Sequence, residues 1–135
     1  MNWRIGCSGG TGSATDADMD AALALAMAGK QWNNATYTND AKTIASWIAK
    51  NDIDGSNKIK PGNQWNDAFN PSYATVANFH AFKTIGASGN WDGITKQAFV
   101  DLKACQNSKT GLVPDWCDWN GHQPVRTSAS VQQGS

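Results

Sequence analysis

Residues 16–31 read Asp-Ala-Asp-Met-Asp-Ala-Ala-Leu-Ala-Leu-Ala-Met-Ala-Gly-Lys-Gln, three carboxylates leading into a run that is apolar on nearly every face. Wound as a helix, it puts Met19, Ala22, Leu23, Ala26 and Met27 on one side and Ala21, Leu25, Ala28 and Trp32 on another. A helix apolar all round is a buried helix, so the rest of the fold has to surround it. Its acidic start is favoured by the positive end of the helix dipole and by free backbone N–H groups. Thr15 is the predicted N-cap, with Asp18 three residues on in the place of a capping-box acid. Carboxylates at the mouth of a buried helix are a place to look for chemistry.

The pattern then alternates. A second helix, about Asn39 to Asn51, has one stripe of Ala41, Ile44, Ala45 and Ile48, while Lys42, Thr43, Ser46 and Lys50 face away; that is an amphipathic outer helix. Asn70-Pro71 reads as an N-cap followed by proline at the first helical position. The segment to Ile85, with Tyr73, Ala74, Val76, Ala77, Phe79, Ala81 and Phe82, is again an inner helix. From about Asn90 to Asn107, Trp91, Ile94, Ala98, Leu102 and Cys105 oppose Lys96, Asp101 and Lys103, a second outer helix. No strand alternation of any length is present. Inner-to-outer turns are short and outer-to-inner connections long (Asp52–Asn70, and Ser108 onward). If the inner helices run parallel, every long loop emerges beside the acidic start of the first helix. That rim collects Asp16 and Asp18, the loop with Asn63, Gln64, Trp65, Asn66, Asp67 and Asn70, and the loop with Asp115, Trp116, Asp118 and Trp119.

Composition narrows the ligand. The chain has 135 residues and formal net charge zero, with 7 tryptophans. Its basic residues are scattered, which argues against nucleic acid or an anionic membrane surface, and no apolar run is long enough to span a bilayer. Aromatic rings with abundant asparagine, glycine and aspartate suit a neutral ligand rich in hydroxyls, a sugar. Three cysteines, Cys7, Cys105 and Cys117, lack metal-type spacing; a Cys105–Cys117 disulfide is open, with free buried thiols favoured. Asp16, Asp18 and Asp20 mimic a calcium loop, but Ala21 and Met27 stand where that loop needs glycine and glutamate. Cys7-Ser-Gly-Gly-Thr-Gly-Ser13 lacks the lysine of a phosphate loop. His80 reads as a core histidine, and His122 has no partner spacing for a metal, so no metal or other cofactor is expected.

The run Ala14-Thr-Asp-Ala-Asp-Met-Asp-Ala-Ala-Leu-Ala-Leu-Ala-Met-Ala-Gly-Lys-Gln-Trp32 resembles the signature of glycoside hydrolase family 8, departing from it at Ala21, where isoleucine or methionine is usual. Asn70-Pro-Ser-Tyr73 and Gly111-Leu-Val-Pro-Asp-Trp116 are similar to later segments of that family, in the same order. The resemblance implies an all-α fold, part of an (α/α)6 barrel, within a single partial domain over residues 1–135. A ring of twelve helices needs at least ~200 residues at about 12 per helix and roughly 5 per connection. It implies inverting, endo-acting hydrolysis of β-1,4-linked polysaccharide (cellulose, xylan, chitosan or mixed-linkage glucan) by a secreted monomer. Inversion requires two carboxyl groups about 6.5–9.5 Å apart. In the family the acid is a glutamate upstream of the signature and the base, in the commonest subgroup, an aspartate downstream, so both are expected to lie outside this chain.

By the same resemblance, Asp16 and Asp18 are the candidates at the catalytic centre. Asp16 would grip hydroxyls of the sugar at the cleavage point through strong charge-assisted hydrogen bonds, with Asp18 capping the helix and supporting it. Trp65 and Tyr73 are candidates for stacking on sugar rings, with stacking favoured for Trp65. Asn63, Asn66 and Asn70 are candidates for binding hydroxyls, although capping alone explains Asn70. Asp115 and Trp116 either line the cleft or brace its loop. The competing reading is a non-catalytic, sugar-binding helical module whose aromatic rim is its whole function.

Overall fold

The computed structural model of the chain describes residues 11–119. Helix α1 spans Thr15–Gln31, α2 Ala35–Asn51, α3 Val76–Thr84 and α4 Trp91–Cys105, and a 3₁₀ turn, Pro71–Tyr73, precedes α3. Two short strands, β1 (Ala68–Phe69) and β2 (Cys117–Asp118), pair antiparallel with Ala68 opposite Asp118 and Phe69 opposite Cys117. Two residues per strand are too few to leave a period-two signature, and so this ladder escaped the sequence reading.

Local chemistry moves several predicted ends. The N-cap of α1 is Ala14, not Thr15; Thr15 lies inside the helix, and its buried hydroxyl donates to the Lys60 carbonyl at 2.7 Å. A contact across 45 residues of sequence therefore displaces the expected local cap. Helix α2 starts four residues earlier than expected because Asn34 accepts from the N–H groups of Thr36 and Tyr37. The preceding turn is made by Asn33 at φ 49°, a left-handed conformation asparagine tolerates. The predicted inner helix from Asn70 divides in two. Asn70 and Pro71 start the 3₁₀ turn, with the Asn70 side chain accepting from Ser72 N–H at 2.9 Å. Ala74 then leaves the helical region and α3 begins at Val76.

The main core joins Met19 and Ala22 of α1, Ala45 and Ile48 of α2, Phe79 and Phe82 of α3, and Trp91, Ile94 and Ala98 of α4. Small residues let α1 and α2 approach closely: a methyl at Gly29 would stand 2.3 Å from Thr38 Oγ1. Trp91 is the hub of the other pair, stacked with Phe79 at 6.3 Å between centroids and edge-on to Phe82 at 5.2 Å. Its indole N–H donates to Ala87 O at 3.0 Å, so burial leaves no donor unsatisfied there.

The expected all-round burial of α1 is not found. Met19, Ala22, Ala26 and Gly29 are covered, but Ala17 and Ala24 are exposed and Met27 is 63% exposed. His80, expected in the core, is also exposed, on the outer side of α3. Asp101, expected to face solvent, is buried. Its reason is Lys58, a buried lysine from the long α2–β1 loop, whose Nζ lies 3.5 Å from Asp101 Oδ1. Asp54 directs Lys58 inward by accepting from the N–H groups of Ser56 and Lys58, both at 2.8 Å.

A second, smaller core gathers Phe69, Cys105 and Cys117, with Ala74 and Leu102 packed against it. Cys105 and Cys117 form a disulfide, correcting the expectation of free thiols. Spacing alone could not decide this, since the pair is brought together by the β1–β2 ladder. Cys7 and His122 lie outside the described residues. Among the described residues, no helix is long and apolar enough to cross a membrane.

Candidate functional site

The long loops do meet at the start of α1. A cleft of ≈ 460 Å³ is lined by Asp16 from α1, Asn70 to Tyr73 from the 3₁₀ turn, Leu102 from α4, and Val113 to Trp116 from the loop before β2. Five of the residues singled out in the sequence therefore share one concavity: Asp16, Asn70, Tyr73, Asp115 and Trp116.

Its centre is a carboxylate–phenol–indole array. Asp16 is exposed in the first turn of α1, where the helix dipole favours its charge. The Tyr73 phenol and the Asp16 carboxylate line the same cleft and interact electrostatically. Burial first, and the Asp16 carboxylate second, push the Tyr73 pKa well above its ordinary 10.0, so the phenol stays a donor throughout the neutral range. Tyr73 also meets Trp116 edge to face, with centroids 6.1 Å apart and planes at 72°. Both rings are half-buried and present apolar surface beside polar atoms. Asp115 stands exposed on the far lip. Asn70 borders the cleft, but its Oδ1 already accepts from Ser72 N–H at 2.9 Å and from Ser72 Oγ–H at 2.7 Å. Capping therefore occupies its oxygen.

The remaining candidates lie elsewhere. Asp18 is 1% exposed and does not line the cleft. Asn63 ties the α2–β1 loop to the residues before α1: its Oδ1 accepts from Ser13 N–H at 3.0 Å, and its own N–H donates to Ser13 Oγ at 2.8 Å. Trp65 lies over Gly62, where an added methyl would stand 2.6 Å from the indole and 2.2 Å from Ser13 O. That close approach explains glycine at position 62 and gives Trp65 a packing partner on one face. Asn66 is exposed and outside the cleft.

Near Asp18 lies a buried polar cluster whose key member, Asp52, was not singled out from the sequence. Asp52 follows α2 as its C-cap, is fully buried, and accepts from Ser13 Oγ–H at 2.7 Å through Oδ1. Its Oδ2 has no hydrogen-bond partner among the described residues. Burial raises its pKa from 3.8 to about 6; the Ser13 hydrogen bond opposes the rise and the nearby Asp18 carboxylate adds to it. Only the fold could reveal this, because Asp18 and Asp52 are far apart in sequence and the fold brings their charges near each other. Among the described residues, no group of three histidine, cysteine or acidic side chains is placed to hold a metal ion.

The family described as glycosyl hydrolases family 8 matches residues 1–134. Endoglucanase 2 of Ruminiclostridium josui is 35% identical over 133 residues, covering 90% of this chain and 29% of the relative. Among solved structures, the β-1,3-1,4-glucanase of Paenibacillus sp. X4 superposes with TM-score 0.73 at 26% identity, over 81% of this chain and 32% of that one. A family 8 endo-β-1,4-glucanase from an Achatina fulica gut metagenomic library superposes with TM-score 0.77 over 87% of this chain and 41% of that one, at 23% identity, a likeness of fold. The chain thus spans about a third of the length of such relatives, and its helical pairs are part of the (α/α)6 barrel seen in them.

Proposed function

The chain belongs to glycosyl hydrolase family 8, and from that premise we propose that its cleft is part of the substrate groove of an inverting, endo-acting hydrolase of β-1,4-linked polysaccharide. The observation that carries this reading is the convergence of Asp16, Tyr73 and Trp116 in one cleft. A β-linked pyranose carries apolar C–H faces and equatorial hydroxyls. The two aromatic rings offer surface to the former, and Asp16 accepts hydrogen bonds from the latter. Tyr73 packs edge to face with Trp116, so less ring freedom is lost when sugar binds. Asp115 offers a second acceptor on the opposite lip.

Asp18 acts from below, as support for the helix start and not as a contact to sugar. Asn63 belongs to the loop's anchorage, and Trp65 and Asn66 extend the rim only if a longer sugar chain leaves the cleft in their direction. Proton transfer needs a pair of carboxyl groups across the scissile bond. The chain contains 11 acidic residues, all of them aspartates, whereas the resemblance calls for a glutamate acid. We therefore assign the acid to a residue beyond these 135 and, on the resemblance alone, the base as well, in a secreted protein whose polymer substrate is too large to enter a cell.

Calorimetric titration with cello-oligosaccharides and reducing-sugar release from carboxymethylcellulose and xylan test the proposal together. We expect measurable binding, at least about tenfold weaker in Asp16→Ala, as loss of a hydrogen bond to a charged group implies. Hydrolysis by the isolated chain should be negligible. Sugar release abolished by Asp16→Ala would show that the acid–base pair lies within the chain. Absence of binding would remove the cleft assignment.

A further inference from the structure

The two lips of the cleft are held in different ways. Asp16 stands on α1, and Tyr73 stands in a turn fastened by the Asn70 cap. The opposite lip, residues 113–116, follows a loop whose hydrogen bonds are internal to it. Asn107 N–H donates to Leu112 O, Gly111 N–H to Asn107 O, and the Gln106 side chain to Gly111 O, each at 2.8 Å. Among the described residues, no hydrogen bond from residues 113–116 reaches the helices. Fixed attachment begins at Cys117, through the disulfide to Cys105, the two-residue pairing with β1, and Lys58 Nζ donating to Trp119 O. A two-residue ladder alone is a weak tie.

The bridge joins both halves of this part of the cleft. Cys117 directly follows Trp116, and Cys105 lies one helical turn after Leu102, which lines the cleft floor. Both sulfur atoms are buried against Phe69, Ala74 and Leu102.

We infer that the Cys105–Cys117 disulfide is a positioning element of the cleft. It holds the Asp115–Trp116 lip against Tyr73, and sugar affinity depends on its being closed. The affinity part rests on the sugar-cleft reading above; the positioning part does not.

The test uses the whole chain carrying Cys7→Ser, so that no third thiol can exchange. Dithiothreitol passes two electrons and two protons to the bridge, leaving two thiols and closing its own ring to a cyclic disulfide. Three readouts are compared before reduction, after it and after reoxidation: far-UV circular dichroism, nuclear Overhauser contacts between the Tyr73 and Trp116 rings, and cellohexaose affinity. Expected are an unchanged helical signal, loss of the Tyr73–Trp116 contacts, and about tenfold or greater weakening of binding, all reversed on reoxidation. Cys105→Ser with Cys117→Ser should match the reduced chain. Retained ring contacts and affinity after reduction would overturn the inference. So would loss of the helical signal along with them, which would make the bridge a general staple. If the oxidised chain binds no cellohexaose, the sugar reading fails, while the ring contacts still decide whether the bridge positions the lip.

Discussion

The four-helix body and the loop layer that forms the cleft are stabilised by different forces. The body is apolar and continuous, with Met19, Ile48, Phe79, Phe82, Trp91 and Ile94 in one core. The loop layer has only a small cluster of its own, Phe69 and Cys117 packed on Cys105 at the end of α4. What it lacks in burial it replaces with specific ties: Asn63 to Ser13, Lys58 to Asp101, and the disulfide. Burial is additive and forgiving, whereas each polar or covalent tie acts at one place. Substitutions in the body should therefore change global stability, and those in the loop layer should change the cleft.

The largest effect is expected from the body. Phe82→Ala, at a fully buried position in contact with Trp91, should cost about 3–5 kcal/mol in urea-induced unfolding. A loss below 1 kcal/mol would mean that the two helical pairs are not one cooperative core. Next comes Cys105→Ala with Cys117→Ala, expected to cost about 2–4 kcal/mol while keeping the helical circular dichroism of the folded state. An equal collapse in both variants would erase the distinction between the layers.

The buried polar cluster joins the two layers and should give a smaller effect with a definite sign. Burial favours the protonated Asp52, raising its pKa from 3.8 to about 6. Between those values the folded state binds more protons than the unfolded, so stability falls as pH rises and levels off above about 6. The fall is at most about 3 kcal/mol over that range. Asp52→Asn keeps an acceptor for Ser13 and should remove this component, seen in urea midpoints measured between pH 4 and 7. An unchanged slope would mean that Asp52 is ionised in the folded chain at pH 4. The smallest effect belongs to the exposed Lys83–Asp92 pair, 2.7 Å apart. Its Lys83→Ala variant should melt with the parent, since exposed pairs add little.

The same division explains what could be read from sequence. The stripes Ala41–Ala45–Ile48 and Trp91–Ile94–Ala98 were legible because a helix repeats its environment every three to four residues. The gathering of Asp16, Asn70 and Trp116 on one rim followed from the alternation of short and long connections, whereas Tyr73 was read as part of an inner helix and reaches the cleft because that helix breaks after the 3₁₀ turn. The ties were not legible, for each depends on one distant partner: Thr15 on Lys60, Asp101 on Lys58, Asp52 on Ser13. The misjudged burial of α1 has another cause. Sequence shows which faces are apolar, and Ala17, Ala24 and Met27 are, but not which of them this chain itself covers.

The central claim is that the loop layer presents one sugar-binding cleft at the start of α1. Titration of the ¹⁵N-labelled chain with cellohexaose, followed by amide chemical-shift mapping, tests it most directly. Perturbations are expected only at Asp16 and its helical turn, residues 70–73, and residues 113–116. Perturbations centred instead on the exposed Trp32 and Tyr37 at the far end of α1, or none at saturating sugar, would contradict it.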